Sequence, residues 1–308
     1  VELPSEPGRR LGRHRGRQLH FALKLQHKVR SEGQARAEVL ALSRAIHPFI
    51  VRLERAFQTN ECFALLLELC PTDLNRILCE GDNQGSCLGL GAKDVATYMG
   101  QVLLALTFLH STEVVYRDVK PENVLISEDN HAKLTDFGLA KQVTPSYRIT
   151  FAGTAGFLAP ELTSPTSPQS ESVQGEDSVS VSVIGPGPSY STHTRRGDPY
   201  KCDAYSFGVT LQLTLLGTDG ARKKEVRNKG ALMLPLLIDE DENAQLCDQL
   251  LAVGRLSKHA HALLLKRLLP FRPEIRSRLC DTDVMNHPFF LESLGCSDLA
   301  WHLMPPLD

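Results

Sequence analysis

The chain has 308 residues, 42% of them hydrophobic, enough to bury a substantial core in one large or two small domains. Lys and Arg total 34 against 36 Asp and Glu, a formal net charge of -2, so no global field marks a nucleic-acid or membrane binder. The eight cysteines (62, 70, 79, 87, 202, 247, 280 and 296) form no C-x-x-C pair, which argues against structural zinc or a disulfide framework and for reduced thiols in a cytoplasmic or nuclear protein.

Residues 1–17 are rich in Pro, Gly and Arg and carry no helical or strand period, so a flexible basic arm is expected there. This start lacks an apolar signal core, and no uncharged apolar run approaches the roughly 20 residues that span a bilayer. The first residue is Val rather than Met, as in a fragment or a variant product. HFALKLQHK then reads as a short strand, and Ala35, Val39, Leu42 and Ile46 form a helical stripe that His47-Pro48 should stop. FIVRLERAF and ECFALLLEL, separated by Gln58-Thr59-Asn60, read as adjacent antiparallel strands. Val95, Met99, Val102, Leu106 and Leu109 repeat at helical spacing and predict a long helix lining a second core. Residues 162–198 turn to Ser, Pro and Gly, the composition of a disordered insertion. Helical patterns resume at CDAYSFGVTLQLTLLG, with Gly217 placed to end the helix, and again at HAHALLLKRLLPF.

Chemistry concentrates in three ordered motifs within residues 116–162: YRDVKPENVLIS, KLTDFGLA and FAGTAGFLAPEL. Phosphoryl transfer needs a group that orients the attacking hydroxyl and takes its proton, a cation on the moving phosphate, and oxygen ligands for magnesium. Asp118 is the candidate base, Lys120 the cation, and Asn123 and Asp136 the candidate metal ligands.

These motifs resemble those of eukaryotic protein kinases, from about Phe21 to Phe290. Tyr116 in place of the usual His, the stretches FALK and HPFI, and HPFF at 287–290 are similar to the AGC group, on its RSK-related side, and Lys120 two residues after Asp118 favours serine/threonine specificity. The resemblance implies an α+β bilobal fold: a small antiparallel β lobe with one main helix over residues 18–69, a larger mostly helical lobe over 70–290, and a short tail over 291–308. It implies ATP and Mg²⁺ as cofactors, with Lys24 on the α- and β-phosphates, Glu38 paired to Lys24, Leu67 as gatekeeper, and the Glu68 and Cys70 backbone on adenine. It further implies Thr150 as an activation-loop phosphorylation site opposite Arg117, served by an upstream kinase, with Glu161, Asp203 and Arg276 as structural supports. Protein substrates follow, with a basic residue three positions before the acceptor read by Asp73 and Glu122; Leu213 stands where a further acidic reader is expected.

The chain also departs from that family. The glycine-rich loop expected before the strand lysine is replaced by ELPSEPGR, whose prolines cannot donate backbone amides. GTAG stands for the commoner GTPE, Arg272 precedes Pro273, and the tail lacks the aromatic F-x-x-F motif. An N-terminally truncated or variant kinase is one reading, and a pseudokinase acting as an interaction scaffold is the alternative. A small-molecule kinase sharing the Asp-x-x-x-x-Asn logic is the third, opposed by the DFG and APE motifs.

Overall fold

The computed structural model describes residues 20–80, 87–163, 197–218 and 240–305. The basic arm, the degenerate glycine-loop window and residues 164–196 of the Ser/Pro-rich insertion lie outside the described residues.

β1 (Phe21–His27) alternates as a half-buried strand should: Ala22, Lys24 and Gln26 turn partly inward, while Leu23 and Leu25 are 58% and 62% exposed. It runs directly into α1 (Lys28–Arg44), which buries Ala35, Val39 and Leu42. The predicted stripe fails at its last member. Helical hydrogen bonding ends with the Ala45 N–H on Ala41 O, and Ile46, beyond the last turn, is 71% exposed. β2 (Leu53–Gln58) and β3 (Cys62–Glu68) form the predicted hairpin, and the Thr59 hydroxyl accepts the Glu61 and Cys62 N–H groups in its turn. The sheet order is β1-β3-β2, antiparallel throughout, with Lys24 opposite Leu65 and Leu67 opposite both Ala22 and Leu53. Leu65 and Leu67 are buried on the face that α1 covers.

Past Glu68 come β4 (Thr72–Asp73), α2 (Leu74–Glu80), β5 (Cys87–Leu88) and α3 (Ala92–Ser111). All five apolar residues that predicted α3 are buried in the core of the larger lobe. β6 (Val114–Val115), β7 (Val124–Ile126), β8 (Ala132–Leu134) and β9 (Lys141–Gln142) are short; β4, β7 and β8 make one ribbon, and β6 pairs with β9. Hydrogen bonds from Val51 N to Leu134 O and from Leu134 N to Phe49 O join the small lobe's connecting segment to that ribbon. α4 (Pro160–Thr163) is a single turn, and α5 (Pro199–Leu216) crosses the core beneath the site, capped by Asp198 at its start and by Gly217 at φ +67 at its end. The insertion read from sequence as 162–198 thus begins inside α4 and ends on the α5 cap. Gly208 lets α5 approach Leu268 and Leu269: a Cβ there would lie 2.7 Å from Leu268 Cβ. β10 (Gly217–Thr218) pairs with β5. The predicted helix around HAHALLLKRLLPF is found as Lys258–Leu263 followed by a π-helical turn, Leu264–Leu268. In the tail, Leu299 and Leu303 of the short helix Leu299–Leu303 pack on Gly100 of α3.

Candidate active site

The loop between β6 and β7 carries Tyr116 to Asn123, and its backbone is held from below by α5. Arg117 sits at φ +70, a left-handed conformation that costs a non-glycine residue energy and needs support. Fully buried Asp203 supplies it. One carboxylate oxygen accepts the Arg117 N–H at 2.7 Å, and the other accepts the Tyr116 N–H at 2.8 Å and faces His110 Nε2 at 2.8 Å. The buried Tyr116 hydroxyl donates to Thr135 O, and its ring meets Phe137 edge to face at 5.3 Å. Burial, reinforced by the charges of Asp118, Asp136, Asp203 and Glu38, pushes the Tyr116 hydroxyl well above its usual pKa, so it stays protonated.

Asp118 stands at the centre of a converging set. Its Oδ2 accepts Asn123 Nδ2 at 2.8 Å and faces Lys120 Nζ at 2.8 Å, while its Oδ1 accepts the Thr154 hydroxyl at 2.6 Å. Lys120 Nζ also donates to Thr154 Oγ1 at 2.6 Å. Asn123 Nδ2 donates again to Asp118 O at 2.9 Å, which commits the amide nitrogen to the loop and leaves the amide oxygen as an acceptor for something else. Thr154 was missed as a functional residue in the sequence, although its place after Gly153 was visible. Gly153, at φ +130, lets the chain pass Arg117 O, where a Cβ would come within 2.7 Å.

Asp136 projects from a left-handed turn (φ +56) after β8; its Oδ1 accepts the Gly138 N–H at 3.4 Å and Lys24 Nζ at 2.9 Å. Lys24 Nζ reaches both Glu38 oxygens, at 2.7 and 3.0 Å, so the sequence-predicted pair is brought together despite the short path between the two residues. Burial pulls the Lys24 pKa down, but the charges of Glu38 and then Asp136 outweigh it and hold the ammonium above the ordinary lysine value. Gln26, also unremarked in the sequence, donates Nε2 to Glu38 Oε2 at 2.6 Å.

Among the described residues no group of three or more His, Cys, Asp or Glu has metal-holding geometry. The donor set that remains, an amide oxygen on Asn123 and a carboxylate on the 48% exposed Asp136 side chain, suits a hard cation that keeps most of its positions for water and phosphate oxygens. These residues fit magnesium.

At the proposed hinge Leu67 is buried. The Glu68 N–H is taken by Arg52 O at 3.0 Å, and its carboxylate accepts the Arg52 N–H at 2.8 Å and Lys133 Nζ at 2.9 and 3.0 Å. The Glu68 side chain therefore ties β3 to β8, a role that sequence reasoning, which assigned only its backbone, did not anticipate. Burial, with the Glu68 charge beside it, pushes the Cys70 thiol up to about 11. Arg117 donates Nη1 to Thr150 Oγ1 at 2.9 Å and Nε to Leu139 O at 2.6 Å, beside a pocket lined by Tyr147, Ile149, Cys202 and Ser206. Arg276 is bidentate to Glu161 at 2.8 and 3.1 Å and also donates to Pro270 O and Lys201 O, stacked on the Tyr205 ring. Asp73 Oδ1 caps the Arg76 N–H at 2.8 Å, Glu122 is exposed, and Leu213 is buried in the core.

The protein kinase domain family matches residues 10–184, more than half of the chain. Among curated proteins, ribosomal protein S6 kinase alpha-2 of Mus musculus is 32% identical over 210 residues, covering 67% of this chain and 24% of its own length. Ribosomal protein S6 kinase alpha-3 of Homo sapiens is 32% identical over 228 residues, 71% of this chain and 26% of the relative. Ribosomal protein S6 kinase alpha-1 of Mus musculus is 38% identical over 138 residues, 44% of this chain and 18% of the relative. The chain spans about a quarter of the length of the first two relatives. With the α+β bilobal architecture and the converging motifs, the chain belongs to the protein kinase domain family, similar to the ribosomal S6 kinases of the AGC group.

Proposed function

We propose that this protein is an ATP-dependent protein serine/threonine kinase. The convergence of Asp118, Lys120, Asn123 and Thr154 within hydrogen-bond distance, together with the Lys24–Glu38 pair and Asp136, carries this reading. Asp118 orients the acceptor hydroxyl and takes its proton as oxygen attacks the γ-phosphorus and the bond to the β,γ-bridging oxygen breaks. Lys120, already positioned by Asp118 and Thr154, neutralises charge on the transferring phosphoryl group. Lys24 binds the α- and β-phosphates, and the Glu68 and Cys70 backbone receives adenine. Asn123 and Asp136 would hold Mg²⁺, which supplies charge neutralisation on the phosphates when bound.

Substrates are proteins with a basic residue upstream of the acceptor, read by Asp73 and Glu122, and an upstream kinase acts on Thr150, whose phosphate would meet Arg117. No nucleic acid is needed as a partner, and the chain works in the cytoplasm or nucleus. Among the described residues no helix is long and apolar enough to cross a membrane.

The decisive experiment is transfer of radiolabelled γ-phosphate from ATP·Mg²⁺ to the protein itself and to a basic serine peptide, beside Asp136→Ala. Transfer by the parent and not by the variant is the expected result. No transfer by either would turn the conclusion toward a scaffold.

A further inference from the structure

Glu38 is fully buried on the α1 face that meets the sheet. A carboxylate in that position requires donors, because desolvated charge without partners is strongly unfavourable. Lys24 alone serves it incompletely: the same ammonium contacts two Glu38 oxygens and one Asp136 oxygen, so it is divided between two carboxylates. Gln26, the next residue on the same face of β1, adds its amide to Glu38 Oε2 at 2.6 Å. The orientation of that amide follows from chemistry, since turning it over would set oxygen against oxygen. Its own Oε1 is buried without a partner, so what anchors the Gln26 head group is the bond to Glu38.

We propose that Gln26 is a positioning residue that holds Glu38, and through it α1, against β1, so that Glu38 stays in place when Lys24 turns toward a nucleotide phosphate. Its catalytic meaning rests on the kinase reading above. Among the described residues the charged and titratable groups facing Glu38 are Lys24 from β1, Asp136 from the turn after β8, and Tyr116 from the loop after β6, which stands in the Glu38 field.

The test compares hydrogen exchange of the α1 segment, corrected for intrinsic rates, in the full-length parent, Gln26→Leu and Gln26→Glu. Gln26→Leu removes a buried bond to a charge and should speed α1 exchange about tenfold, independently of pH. Gln26→Glu sets two carboxylates against each other, so it should loosen α1 at about pH 8 and regain parental protection at about pH 5.5, where one shared proton rebuilds the bond. A residue that only fills space would accept Glu as readily as Gln and show no such recovery. Equal α1 protection in all three proteins at both pH values overturns the proposal, as does a Gln26→Glu loss that acid fails to reverse. The readout needs no phosphate transfer, so an inactive parent whose α1 still responds in this pattern would sink the kinase reading and leave the role of Gln26 standing.

Discussion

Three side chains around Asp118 show how much one carboxylate can be asked to do. Asn123, Lys120 and Thr154 all bond it, so its oxygens are held in place before any substrate arrives. Thr154→Ala should lower kcat about tenfold, because Lys120 and Asp118 lose the hydroxyl that joins them, and Thr154→Ser should restore most of it; steady-state transfer assays would check both. Asp203 acts one layer further down. Asp203→Asn replaces an acceptor of three bonds by an amide whose NH₂ must oppose one of its former donors, and should cost about 1–3 kcal/mol in denaturant unfolding as well as slowing transfer, because the left-handed Arg117 backbone loses its brace. At this scale the sequence was informative. Residue types and their order singled out Asp118, Lys120, Asn123 and Asp136 as candidates, whereas Thr154 and Gln26 make their contacts across 36 and 12 residues of chain, which no local pattern reveals.

Among the elements, α3 and α5 were legible because long apolar stripes leave little choice about which face is buried. α1 was legible along its body and not at its end. The expected stripe ran on to Ile46, but His47 starts a different structure: its Nδ1 accepts the Phe49 N–H at 3.2 Å and its ring stacks on Phe108 at 5.1 Å. Burial, with the Lys133 charge adding to it, lowers the His47 pKa to about 4. The folded protein therefore binds fewer protons here than the unfolded chain, whose imidazole titrates near 6.5, so this contribution to stability is complete above about pH 6.5 and is lost as pH falls toward about 4. Denaturation midpoints measured across that interval should fall in the parent, and His47→Asn, which can still accept the Phe49 N–H, should flatten that part of the curve. Gly208 offers a second check on packing between elements. Gly208→Ala pushes a methyl onto Leu268 and Leu269 and should cost about 1–3 kcal/mol by overpacking, read as a lowered Tm.

Across the whole molecule, two distant stretches are fastened by the ion pair of Glu161 and Arg276, 115 residues apart in sequence. Arg276 is buried and has carbonyl partners of its own, so Glu161→Gln leaves its charge poorly compensated and should destabilise the fold by about 3–5 kcal/mol in equilibrium unfolding. Both partners were assigned from the family resemblance; the carbonyl cage around Arg276, from Pro270, Phe271 and Lys201, depends on chain folding that the sequence pattern does not expose.

The direct passage from β1 into α1 has a mechanical consequence. Where a flexible linker joins two elements, one can swing while the other stays; here His27 and Lys28 are consecutive members of strand and helix, and the strand is zipped to β3 along seven residue pairs. Any motion that carries Glu38 away from Lys24 must therefore drag on the strand that holds Lys24 or peel its last pairs from β3. The two residues travel as one lever arm, and a switch that parts them has to begin by fraying the hem of the sheet.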